Sequence, residues 1–80
     1  MDDLDVLAHI NSLVDEEHHL LGRRTGGAAT ADEHARLERL EVELDQCWDL
    51  LRQRRARRNA GENPDDATAR DASTVEHYRQ

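Results

Sequence analysis

The sequence has no lysine and no phenylalanine, a single cysteine, a single proline, and only two aromatic residues, Trp48 and Tyr78. One cysteine excludes an internal disulfide and fits a reducing compartment. No apolar run approaches the ~20 residues of a membrane span. The start, Met1-Asp2-Asp3-Leu4-Asp5, is acidic where a signal peptide is basic. These absences predict a cytoplasmic protein with no membrane segment. Apolar residues are only 36% of 80 positions, and domains so poor in core usually rely on a metal, disulfides or oligomerisation. The length also leaves no room for separate cofactor and substrate lobes.

The formal charge of −7 is unevenly placed. Residues 1–24 carry six acids against two arginines, and residues 30–51 seven acids against two arginines. Residues 52–58 reverse the sign, with five arginines and no acid. Residues 59–80 return to five acids and two arginines.

Glycine and proline are missing from Asp32 to Arg58. Through that run Leu37, Leu40, Leu44, Cys47 and Leu51 recur at alternating spacings of 3 and 4. This is the seam of a helix that packs lengthwise on other helices. An earlier helix is predicted over 3–24, with Asp2 or Asp3 at the positive end of its dipole. Val6, Ile10, Leu13, Glu17 and Leu20 form its seam, and Leu7, Val14 and Leu21 a second row beside it. A stripe that wide belongs to a helix touching two neighbours.

Gly22 weakens the end of this helix and Gly26-Gly27 stops it. Thr30-Ala31-Asp32-Glu33 then reads as a capping box opening a second helix over 31–59. So short a connector folds the two helices into an antiparallel hairpin over residues 1–59. In the register this implies, Ile10 lies near Leu44 and Val6 near Trp48, and the arginines stand beside Asp2, Asp3 and Asp5. Trp48 is expected to be buried there, as the one large aromatic able to anchor that end. Residues 60–80 begin with linker chemistry and offer only Val75 and Tyr78 as bulky groups, a polar tail either disordered or laid on the helices.

The segment Leu44-Asp45-Gln46-Cys47-Trp48-Asp49-Leu50-Leu51-Arg52-Gln53-Arg54-Arg55-Ala56, with Glu16-Glu17-His18 and Asp32-Glu33-His34-Ala35-Arg36-Leu37, resembles a family of short uncharacterised proteins from high-GC Gram-positive bacteria. The resemblance covers nearly the whole chain and implies no activity, substrate or catalytic residue. Gly22 departs from it, where the family leads one to expect a charged helix former.

Among the constellations that can carry chemistry, Glu16-x-x-His19 has the i, i+3 spacing of di-iron bundle ligands. With Ile10, Leu13 and Leu20 turned inward, however, His19 points to solvent, and a buried metal needs inward ligands. No metal or other cofactor is therefore expected. Glu17 sits in the seam, where a carboxylate needs a partner; Arg36 and His34 are the candidates. A lone polar group in a seam commonly sets register or oligomer state.

Arg52, Arg54, Arg55, Arg57 and Arg58 form a basic patch able to neutralise phosphates. It lacks interleaved aromatics for base stacking and stands among acids. It is read as a helix end paired with carboxylates, with nucleic acid as the alternative. Cys47, with no histidine in adjacent turns, reads as a small core residue. No nucleophile–base–orienter set is present.

The expected fold is all-α: an antiparallel, coiled-coil-like two-helix hairpin that pairs with a second copy into a four-helix bundle. Core and interface are assigned to Val6, Leu7, Ile10, Leu13, Val14, Glu17, Leu20, Leu37, Leu40, Leu44, Cys47, Trp48 and Leu51. The expected role is non-enzymatic: a self-assembling protein-interaction module, with a nucleic-acid-associated regulator as runner-up and a metal-binding bundle third.

Overall fold

The computed structural model describes residues 2–71. Two helices, α1 (Asp3–Thr25) and α2 (Ala31–Asn59), are followed by a single 3-10 turn at Pro64–Asp66, with no strand among the described residues. Each helix begins with a reciprocal capping box. At α1 the Asp5 amide donates to the Asp2 carboxylate at 2.9 Å, and the Asp2 amide donates to Asp5 at 3.1 Å. At α2 the Glu33 amide donates to the Thr30 hydroxyl at 3.1 Å, and the Thr30 amide donates to Glu33 at 3.0 Å. Two of the orphan donors at each helix start are thereby met from within the chain. Gly27, at φ 74°, turns the chain in the left-handed region that a side chain would disfavour.

The helices pack through Val6, Ile10, Leu13 and Leu20 of α1 and Leu37, Leu40 and Leu44 of α2. Val14, Leu21, Cys47, Leu50 and Leu51 lie half-buried against that core. The molecule measures 49 × 24 × 17 Å, so it is one layer of helices, and each helix can cover only one side of its neighbour.

Three assigned positions differ in depth from the sequence expectation, and a fourth differs in its partner. Leu7 and Trp48 stay outside the core, at 38% and 45% exposed. Trp48 is one residue past the seam position Cys47, about 100° around the helix, off the line along which α2 meets α1. Glu17 is half-buried in the seam, while Arg36, one of its two expected partners, pairs with Glu16 instead. Arg54, expected on a surface patch, is 5% exposed, because α1 and the following segment close over it.

After Asn59 the chain doubles back. Gly61, at φ 75°, makes the bend, and the Glu62 amide closes it by donating to the Arg57 carbonyl at 2.7 Å. Residues 67–71 then run along α2, held by Gln53 Nε2 donating to the Thr68 carbonyl at 2.7 Å and Gln46 Nε2 to the Arg70 carbonyl at 3.2 Å. Val75 and Tyr78, the expected anchors of the tail, lie outside the described residues. No helix among the described residues is long and apolar enough to cross a membrane.

Candidate functional site

Helical periodicity gives the hairpin two unlike flanks. On one flank Arg36 reaches from α2 to α1 and grips Glu16 with two hydrogen bonds, Nε–Oε2 at 2.6 Å and Nη2–Oε1 at 2.9 Å. Glu43 completes the set at 3.5 Å. The paired guanidinium holds the Glu16 carboxyl below its ordinary range, and Glu16 in turn raises Arg36. The returning segment also lies on this side. Between it and the helices is a groove of about 490 Å³, lined by Val6, His9, Glu43, Cys47, Leu50 and Ala67 among others. Burial, with Glu43 nearby, pushes the Cys47 thiol up, so the groove holds a protonated thiol and not a nucleophile.

The open end of the hairpin is tied by Arg54. Its Nε donates to Asp3 at 2.6 Å, and its Nη1 donates to Asp65 at 3.0 Å and to the Pro64 carbonyl at 3.2 Å. One guanidinium thus joins the start of α1, the end of α2 and the 3-10 turn, as its rigid fork of five donors allows. Arg58 adds a second bond to Asp3 at 2.7 Å. Arg57 pairs with Glu62 at 3.3 Å, and Arg52 stands 4.0 Å from Asp49. The arginine block is therefore largely spent on the protein's own acids, and Arg55 stays exposed.

Asp49 is the site sequence reasoning missed. It lies across α2 from the seam yet is 1% exposed, because the returning segment covers it. Gln53 donates to it at 2.9 Å and Arg70 pairs with it at 3.1 Å. The Asp49-x-x-x-Gln53 spacing was visible, but nothing in the sequence announced that a strap would bury it.

Two paired carboxylates make the fold sensitive to acid. Arg58, then Arg54, hold the Asp3 carboxyl down to about 2, against an ordinary 3.8. Arg23, with the Thr30 amide, holds Glu33 to about 2 against 4.5. Folded-state values below the unfolded ones mean stabilisation that is complete above about pH 4.5 and drains away as pH falls toward 2. Thermal melts from pH 6 downward are expected to hold level and then decline through that window. Asp3→Asn with Glu33→Gln should start lower and show a shallower decline.

The other flank lies away from the Arg36–Glu16 pair and from residues 67–71. Leu7, Val14 and Leu21 recur every seventh residue along α1, with Leu4 at its start. His34, Glu41, Trp48 and Arg55 recur likewise along α2. Among the described residues, Leu4, Leu7 and Trp48 are the large apolar side chains left exposed, Leu4 at 75%. His18 and His19 are exposed, and Glu16 is engaged by Arg36. No group of three potential metal ligands occurs among the described residues.

Residues 2–80 match the family described as "Protein of unknown function (DUF2630)". Uncharacterized proteins of Mycobacterium bovis and of two Mycobacterium tuberculosis strains are each 52% identical to this chain over 77 residues. The match spans 95% of this chain and 88% of theirs. No solved structure matches.

Proposed function

Because this chain belongs to the DUF2630 family, which brings no assigned activity, we propose from its surfaces that it is a non-enzymatic, self-assembling protein-interaction module. Two hairpins join through the flank that carries Leu7 and Trp48 into a four-helix bundle, and the protein works in the cytoplasm. The observation that carries this reading is the apolar stripe left wet by the single layer: Leu4, Leu7 and Trp48 exposed, with Val14, Leu21 and Leu51 half-buried. Exposed apolar side chains grouped in this way mark an interaction surface, and a large aromatic is the usual anchor of such contacts.

The arginine block supports the nucleic-acid alternative poorly, since Arg52, Arg54, Arg57 and Arg58 all have carboxylates within 4.0 Å. The metal reading fares no better, with Glu16 committed to Arg36.

Trp48 is the built-in reporter of assembly. Its fluorescence should be blue-shifted at high protein concentration and move toward that of a solvated indole on dilution. Leu7→Asp places a carboxylate in the interface and should weaken association about a hundredfold, equivalent to ~3 kcal/mol for an unpaired buried charge. An emission maximum that is constant across the dilution series, and unchanged in the variant, would refute the reading.

A further inference from the structure

Gln46, Asp49 and Gln53 follow one another along one face of α2 at spacings of three and four. Together they hold the chain that returns over them, and they take different groups of it. Gln53 Nε2 donates to the Thr68 carbonyl at 2.7 Å and Gln46 Nε2 to the Arg70 carbonyl at 3.2 Å. Asp49 takes the Arg70 guanidinium, Nε to Oδ2 at 3.1 Å. The chain enters this stretch extended, with Ala67 at φ −70° and ψ 138°. The Asp49 side chain is closed to water and so needs a cation at hydrogen-bond distance. Arg70 supplies it, whereas Arg52 stands 4.0 Å off. The face thus reads two backbone carbonyls and one guanidinium. The amides are indifferent to sequence; the carboxylate selects arginine.

The segment on this face is lightly held. From Glu62 to Asp71 there is no leucine, isoleucine, valine, methionine or aromatic residue, so burial of apolar side chains anchors it little. Its hydrogen bonds are exchanged against bonds to water, and segments of this kind open at low free-energy cost. The helical hydrogen bonds of α2 are separate from these contacts, so Gln46, Asp49 and Gln53 keep their spacing when the segment lifts. What is uncovered is a carboxylate and two amides already placed for an extended, arginine-bearing chain. A second copy could offer its own residues 67–71 only by straining Arg54–Asp65 and Arg57–Glu62, which tie that stretch to its own hairpin. A segment from another protein has no such ties to break.

We propose that Gln46, Asp49 and Gln53 form a recognition site for an extended, arginine-bearing segment of a partner protein, and that residues 67–71 are its tethered competitor. The proposal does not depend on assembly through the flank that carries Leu7 and Trp48.

The test is fluorescence anisotropy of a fluorescein-labelled peptide with the sequence of residues 66–71, titrated with the full chain. Arg70→Gln in the chain removes the tethered arginine and should bind the peptide about tenfold more tightly than the parent, where the tether competes at high effective concentration. On that chain, a peptide carrying Arg70→Gln itself should bind at least ~30-fold more weakly, the low end for removing one partner of a buried charge pair. The peptide comparison leaves the protein unaltered, so it does not rest on a variant's folding. Equal affinity for the two peptides, or equal affinity of the Arg70→Gln and parent chains, would overturn the proposal. So would the lack of saturable binding up to ~10 mM, the scale of concentration a short tether provides. Titrated in place of the peptide, a labelled Asp49→Asn chain should bind the Arg70→Gln chain no more tightly than the parent. Tighter binding would give the site to a second copy and overturn the assignment to a partner.

Discussion

Leu40→Ala should cost ~2–5 kcal/mol, the range for removing a buried leucine side chain into a site that cannot fully collapse. Leu40 has no exposed surface and sits between Leu37 and Leu44 in the core. Whole domains are stable by only ~5–15 kcal/mol, and one this small stands near the lower end. Urea titrations followed by far-UV circular dichroism should therefore find the variant unfolding at much lower denaturant, or already partly unfolded without it. Leu4→Ala is the matched control, because Leu4 is 75% exposed in the hairpin. It should leave hairpin packing nearly unchanged and act on association. Equal losses from the two substitutions would mean that the core is not where the structure puts it.

Arg54→Gln should be the most damaging single change in the arginine block. It removes one of the two cations on Asp3 and the cation on Asp65, and withdraws a donor from the Pro64 carbonyl, at a position closed to water. Groups left unpaired in a closed site cost more than the net value of the bonds that were made. Both the melting midpoint and the protection of the backbone amides at residues 62–71 should fall. Arg55→Gln, at an exposed position in the same block, should stay within ~0.5 kcal/mol of the parent. If the two behaved alike, the tie between α1, α2 and the 3-10 turn would be without consequence.

The hairpin was legible because its signals are local. Thr30 and Glu33 are three residues apart, the Gly26-Gly27 stop is adjacent in sequence, and the leucine seam repeats within a single helix. Arg54 was legible too, had the seam been followed further: it lies three residues past Leu51, and Arg58 four beyond that, so both continue the same row. That row meets Asp3 where α1 runs out of apolar residues. Trp48 was misjudged because its depth depends on how far α1 extends around α2, and a seam spacing does not encode that. Asp49 was beyond reach, since its burial depends on a polar segment with no periodicity folding back more than fifteen residues later. Chain reversals of that kind are specified by side-chain-to-carbonyl bonds, here from Gln46 and Gln53, which leave no pattern in a sequence.

Sedimentation equilibrium of the intact chain at micromolar concentration tests the central claim most directly, because assembly through the Leu7–Val14–Leu21 and Trp48 flank predicts a particle of twice the 9.2 kDa chain mass. Dilution or Leu7→Asp should return it toward one chain mass. A stable, fully helical species of 9.2 kDa at every concentration would contradict the account.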